Sequence, residues 1–136
     1  MNDAEGPRQR WGNATRWLVW GGFAVLWSIA LLTTFPVRAR DAILPEEYAF
    51  SSGKILHVAA YAVFALLTAW LDVRRPWRWV LLGVLSLHAG ATEFFQQFVG
   101  RTSSLADVGL DHIGLVLGVA LSWWRWLGVT RSRPRP

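Results

Sequence analysis

The chain contains no cysteine. Disulfide bonds and thiolate chemistry are therefore excluded, and the redox compartment leaves no trace in the sequence. Charge is also missing over long stretches. Residues 17–37 form a run of 21 without one charged side chain, and residues 55–71 hold only His57 and Tyr61 as ionisable groups. A helix that crosses the hydrocarbon core needs about 20 largely apolar residues at about 1.5 Å each, and both segments come close to that. The alternation of apolar and polar residues that marks a half-buried strand is absent, as is any internal repeat.

What is present is hydrophobicity gathered into blocks. Its total, 53% of 136 residues, is ordinary for a soluble protein, so the distribution decides the class. The length suits one domain. The blocks predict an all-α integral membrane bundle of four transmembrane helices, at about 17–35, 55–71, 79–99 and 107–127. A flexible arm (1–16) precedes them and a basic tail (128–136) follows. Pro36 is expected to stop the first helix. Residues 36–54 read as a mixed-charge loop, 72–78 as an arginine-bearing turn, and Gly100 as the end of the third helix. Arg8, Arg10 and Arg16 could open a cleaved secretory signal. The apolar run after them exceeds the roughly 7–15 residues of a signal core, and no small-x-small cleavage site follows, so this helix reads as a retained anchor.

Two signals set the expected orientation. Lys and Arg number ten on the side of the N-terminal arm, the second connection and the tail, against four on the other side. Basic residues favour the cytoplasm, so both termini are expected inside. Trp17, Trp20, Trp70, Trp77, Trp79, Trp123, Trp124 and Trp126 all fall near those same ends, as an interfacial anchoring belt would. The net charge of +5 does not indicate nucleic acid, because the arginines flank apolar spans instead of striping a soluble domain. The partner implied is the lipid bilayer, and no cofactor is indicated.

The chemistry-bearing residues lie at the opposite end. Lys54, His57 and Tyr61 open the second helix, Glu93, Gln97 and Arg101 close the third, and Asp107 and Asp111 open the fourth. Each set has i,i+3 or i,i+4 spacing and so lines one side of its helix. In an up-down bundle all three sets reach one depth. A lone charge within a span costs about 2.5–3.5 kcal/mol even on a lenient scale, so such groups turn inward toward partners. His57 and Glu93 are candidate acid/base groups. Lys54, Tyr61, Gln97, Arg101, Ser104, Asp107 and Asp111 are candidates for binding, with Ser104 also placed to cap the fourth helix. His57, Glu93, Asp107 and Asp111 would be hard metal ligands, but there is no dense local ligand motif, and no metal site is assigned. His88 and His112 read as interhelical hydrogen-bonding residues outside the site. Gly114 and Gly118 form a G-x-x-x-G on the Asp111 side, which permits close backbone approach.

In order and separation, Lys54-x2-His57-x3-Tyr61, Glu93-x3-Gln97, Gly100-Arg101-x2-Ser104-x2-Asp107 and Asp111-x2-Gly114-x3-Gly118 resemble the VanZ-like membrane proteins. The match spans residues 54–118. Family members often carry Asp where this chain has Gly53, and Asn where it has Asp111. The resemblance implies a multi-pass protein of a bacterial cytoplasmic membrane, with a loose link to teicoplanin resistance and no settled reaction.

Two functions compete. In the first, the polar cluster faces the extracytoplasmic side and binds or acts on a lipid-like or lipid-linked envelope molecule. Arg101 and Lys54 would hold its anionic group there. In the second, the protein is a non-enzymatic accessory or scaffold subunit whose cluster is structural. The sequence does not choose between enzyme and scaffold, and names neither substrate nor oligomeric state.

Overall fold

Proline stands at the N-cap or in the first turn of the first four helices, and serine caps the start of the fifth. The computed structural model describes residues 7–43, 45–101 and 104–127. Among these, every regular element is helical: α1 (Pro7–Leu32), α2 (Phe35–Ile43), α3 (Glu46–Trp70), α4 (Arg75–Gln96), α5 (Leu105–Leu121) and α6 (Trp123–Trp126). Residues 1–6 of the expected arm, and the whole of the expected tail at 128–136, lie outside the described residues.

Several boundaries differ from the sequence reading; the third expected helix, for one, runs Arg75–Gln96 where 79–99 was expected. Residues 7–16 are helical and not a flexible arm: α1 starts at Pro7, where a missing N–H goes unneeded. Pro36 likewise sits in the first turn of α2, and α1 has already ended at Leu32. The expected loop at 36–54 is therefore largely helical, because α2 and the first turns of α3 continue the helix beyond the apolar span. Polar residues in that stretch lower its hydropathy without opposing helix formation. The fourth expected helix is interrupted at Ser122, whose hydroxyl donates to the Gly118 carbonyl (2.6 Å), a local bond that competes with the helical ladder.

α1 over Gly12–Leu32 and α3 over Ser51–Trp70 are each long and apolar enough to cross a membrane. α3 is central. It packs most extensively on α5 and also touches α1 and α4. The α3–α5 contact runs through the glycines. A Cβ on Gly114 would strike the Val58 carbonyl oxygen, and one on Gly118 the Ala62 carbonyl oxygen. Only hydrogen fits at either position. On the other side of α3, Phe64 meets Phe23 edge-on (4.7 Å between ring centroids) and Trp20 (6.2 Å).

The tryptophan-rich end is knit together by side chains. Arg16 lies over the Trp70 ring at 5.5 Å, Trp20 donates to Thr68 (2.9 Å), and Trp79 packs on Trp126 at 5.0 Å. Arg78 donates to the Arg125 and Leu71 carbonyls. Trp126 departs from the expected belt: it is fully buried and donates to Ser122 Oγ (2.9 Å), so it fills the core. Elsewhere the outward faces are apolar, with Leu18, Leu26, Leu87 and Val116 all exposed.

Candidate functional site

His57 lies 13 residues before the end of α3 at Trp70, about 20 Å from the tryptophan-rich end. The facing ends of α4 and α5 bring in Glu93, Asp107 and Asp111. Each is positioned by its helix's inward stripe: Leu85, Ala89, Thr92, Glu93 and Gln96 on α4, and Asp111, Gly114, Leu115 and Gly118 on α5. His57, Glu93 and Asp111 are all buried, and Asp107 is half-buried.

The strongest polar contact crosses the glycine-mediated α3–α5 seam. His57 Nδ1 and Asp111 Oδ1 are 2.8 Å apart. A carboxylate oxygen accepts, so Nδ1 carries the proton and donates, which leaves Nε2 as the second ring nitrogen for chemistry. Trp27 of α1 packs edge-on to the imidazole at 5.9 Å and fixes its plane. Asp111 Oδ2 is buried without a hydrogen-bond partner among the described residues.

Glu93 is held by both oxygens. Oε1 accepts from Gln96 Nε2 (3.1 Å) and Oε2 from the Ser104 backbone N–H (2.8 Å). Ser104 also caps α5, its Oγ accepting from the Ala106 N–H (3.2 Å). The serine therefore reaches the site through its main chain while its hydroxyl serves the helix. One ligand-type atom from each of His57, Glu93 and Asp107 falls within 4.8 Å of the others. No local sequence motif could reveal this trio, because its members come from three helices.

Other expected site residues take different roles. Gln97 is exposed and donates to the Phe94 carbonyl (2.6 Å); the buried glutamine beside Glu93 is Gln96. Arg101 turns toward α1, where Nη1 donates to the carbonyls of Ala30 (3.0 Å), Leu31 (2.8 Å) and Thr33 (3.4 Å). It thereby satisfies the acceptors left open at the C-terminal end of a helix. Burial lowers the pKa of its guanidinium, while Glu93 and Asp107 oppose that shift. Lys54 is half-buried one turn before His57.

Tyr61 is fully buried and faces His88, with its hydroxyl 2.8 Å from Nδ1. Ser28 Oγ donates to the Ala24 carbonyl (2.8 Å) and lies 2.9 Å from His88 Nε2. With the serine proton committed, Nε2 donates to Ser28 and Nδ1 accepts from Tyr61. This chain joins α1, α3 and α4 beneath the site, and His88 is the interhelical residue expected of it. His112 is similar: Nδ1 donates to the Val108 carbonyl (2.7 Å) and Nε2 lies 2.7 Å from Ser86 Oγ. His112 and Ser86 also line an apolar groove of about 430 Å³ between α4 and α5, with Trp79, Leu82, Leu115 and Val116.

The fold and site together define an all-helical protein with two helices able to span a membrane and a buried histidine–carboxylate cluster at one end of the bundle. No family model, curated protein or solved structure matches the chain.

Proposed function

We propose that the chain is a four-span protein of a bacterial cytoplasmic membrane, VanZ-like, with both termini in the cytoplasm. In this reading its buried cluster binds, and acts on, the anionic head group of a lipid or lipid-linked envelope molecule. The observation that carries this is the meeting of His57, Glu93, Asp107 and Asp111 from three helices at one end of the bundle. Packing four short helices needs far less buried charge than that, and ionisable groups inside spans are retained for function. The apolar outward faces of α4 and α5 support the two further spans. The α4–α5 groove supplies a bed for an acyl chain.

Within the cluster, Asp111 orients His57 so that the single lone pair of Nε2 is offered either to a proton or to a cation. Glu93 and Asp107 stand opposite, able to exchange protons or bind a cation. Arg101 secures the α1 end that carries Trp27 against the imidazole, a positioning role.

The test is genetic and chemical. Deleting the gene should change the lipid or cell-wall precursor profile read by mass spectrometry, and wild-type protein should restore it. Glu93→Gln should accumulate in membranes yet fail to restore it. Full restoration by that variant removes the acid/base role. Loss of the protein itself from membranes would favour a structural cluster and the scaffold function.

A further inference from the structure

We infer that His57, Glu93 and Asp107 form a binding site for one divalent transition-metal ion of the Zn²⁺ or Mn²⁺ class. The inference rests on the reading of this cluster as a working site and names what the site holds. Three observations carry it.

The first is geometric. One donor atom from each residue lies within 4.8 Å of the others. Ligands held tetrahedrally at about 2.1 Å from a zinc ion sit about 3.4 Å apart, so modest side-chain rotations would close the set on an ion. Three protein ligands leave a coordination position for water or for a substrate oxygen.

The second is the state of the histidine. A metal-bound imidazole ordinarily donates its other ring N–H to a carboxylate, which fixes the tautomer and aims the lone pair. His57 is already so arranged, with Nδ1 donating to Asp111 at 2.8 Å and Trp27 holding the ring plane. Nε2 is then the ligating nitrogen.

The third is charge. Glu93, Asp107 and Asp111 place three carboxyl groups around one imidazole, and Asp111 Oδ2 is buried without a hydrogen-bond partner among the described residues. Arg101, the guanidinium adjoining the cluster in sequence, spends Nη1 on the carbonyls of α1. A divalent cation balances such a set, and nitrogen-plus-oxygen donors suit zinc or manganese better than the softer, thiolate-seeking metals. An ion there would meet the phosphate of a lipid head group directly.

The experiment uses the full-length chain purified in detergent, stripped with chelator and titrated calorimetrically with Zn²⁺ alone, then with Mn²⁺ alone. Wild-type protein should bind one ion per chain. His57→Gln and Asp107→Asn should abolish binding, Asp111→Asn should weaken it about 10–100-fold, and Asp41→Asn, a surface carboxylate, should leave it unchanged. X-ray absorption of the loaded wild-type protein, which needs no variant to fold, should show one imidazole and otherwise oxygen donors. Absence of binding by both ions, a metal shell without imidazole, or full affinity in well-folded Asp107→Asn overturns the inference. The lipid-profile test is separate. No metal with an inactive Glu93→Gln removes only the metal site. A bound metal with normal lipids in the deletion strain removes only the head-group function.

Discussion

At the scale of single residues, Arg101 has the clearest structural consequence. Its Nη1 group serves three carbonyls at the end of α1, and Arg101→Ala would leave them without that donor. The expected cost is about 1–3 kcal/mol, read as a lower unfolding midpoint in detergent. Arg101→Lys should recover only part of it, because one ammonium cannot reproduce the guanidinium fork. Tyr61→Phe should cost about 1 kcal/mol through the lost bond to His88. It should leave Zn²⁺ affinity at the His57 cluster unchanged, since Tyr61 touches His88 and not the ligand set.

The ionisable members of the site were legible because an apolar span makes each charge conspicuous. Their partners were harder to read. The i,i+4 rule chose Gln97 to accompany Glu93, yet α4 ends at Gln96 and Gln97 already belongs to the turn. The rule holds only while the helix continues, and the inward glutamine is the i+3 residue. Arg101 was expected to hold an anion. A neighbouring helix end was a competing acceptor that sequence spacing does not show.

Among the elements, the α3–α5 pair is the most exacting. Gly118→Val would drive side-chain atoms into the Ala62 carbonyl. Overpacking of this kind costs about 1–3 kcal/mol, and here the seam also sets the His57–Asp111 distance, so the unfolding midpoint and metal affinity should fall together. Gly83→Ala, on α4 with open space around its Cβ position, should be neutral or slightly stabilising. Circular dichroism melts of the two variants check the contrast. The G-x-x-x-G spacing made this close approach readable in advance. The helix starts were less so: hydropathy reports burial in lipid, whereas α2 and the first turns of α3 are polar helix, which a hydropathy boundary trims away. Gly100 was expected to end α4, but α4 stops at Gln96 and Gly100 closes the turn that follows, where its φ of 72° suits a residue without Cβ.

For the whole molecule, orientation is the property to measure. The chain lacks cysteine, so single-Cys variants label without background. Tyr48→Cys should react with a membrane-impermeant maleimide in intact cells, and Trp77→Cys only after permeabilisation; both positions are exposed. The reverse pattern would place the cluster in the cytoplasm and overturn the proposal of an outer-leaflet substrate. The arginine and tryptophan counts make the first outcome the expected one.

The bare glycine seam also limits how the protein can move. Where two main chains touch without side chains between them, neither helix can slide lengthwise without carbonyls colliding with the opposing strand of backbone. α3 and α5 therefore travel as one rigid stave. Any gate that admits a bulky guest to the imidazole would have to be hinged on α1 or α4, whose contacts with that stave are made by side chains and not by bare backbone.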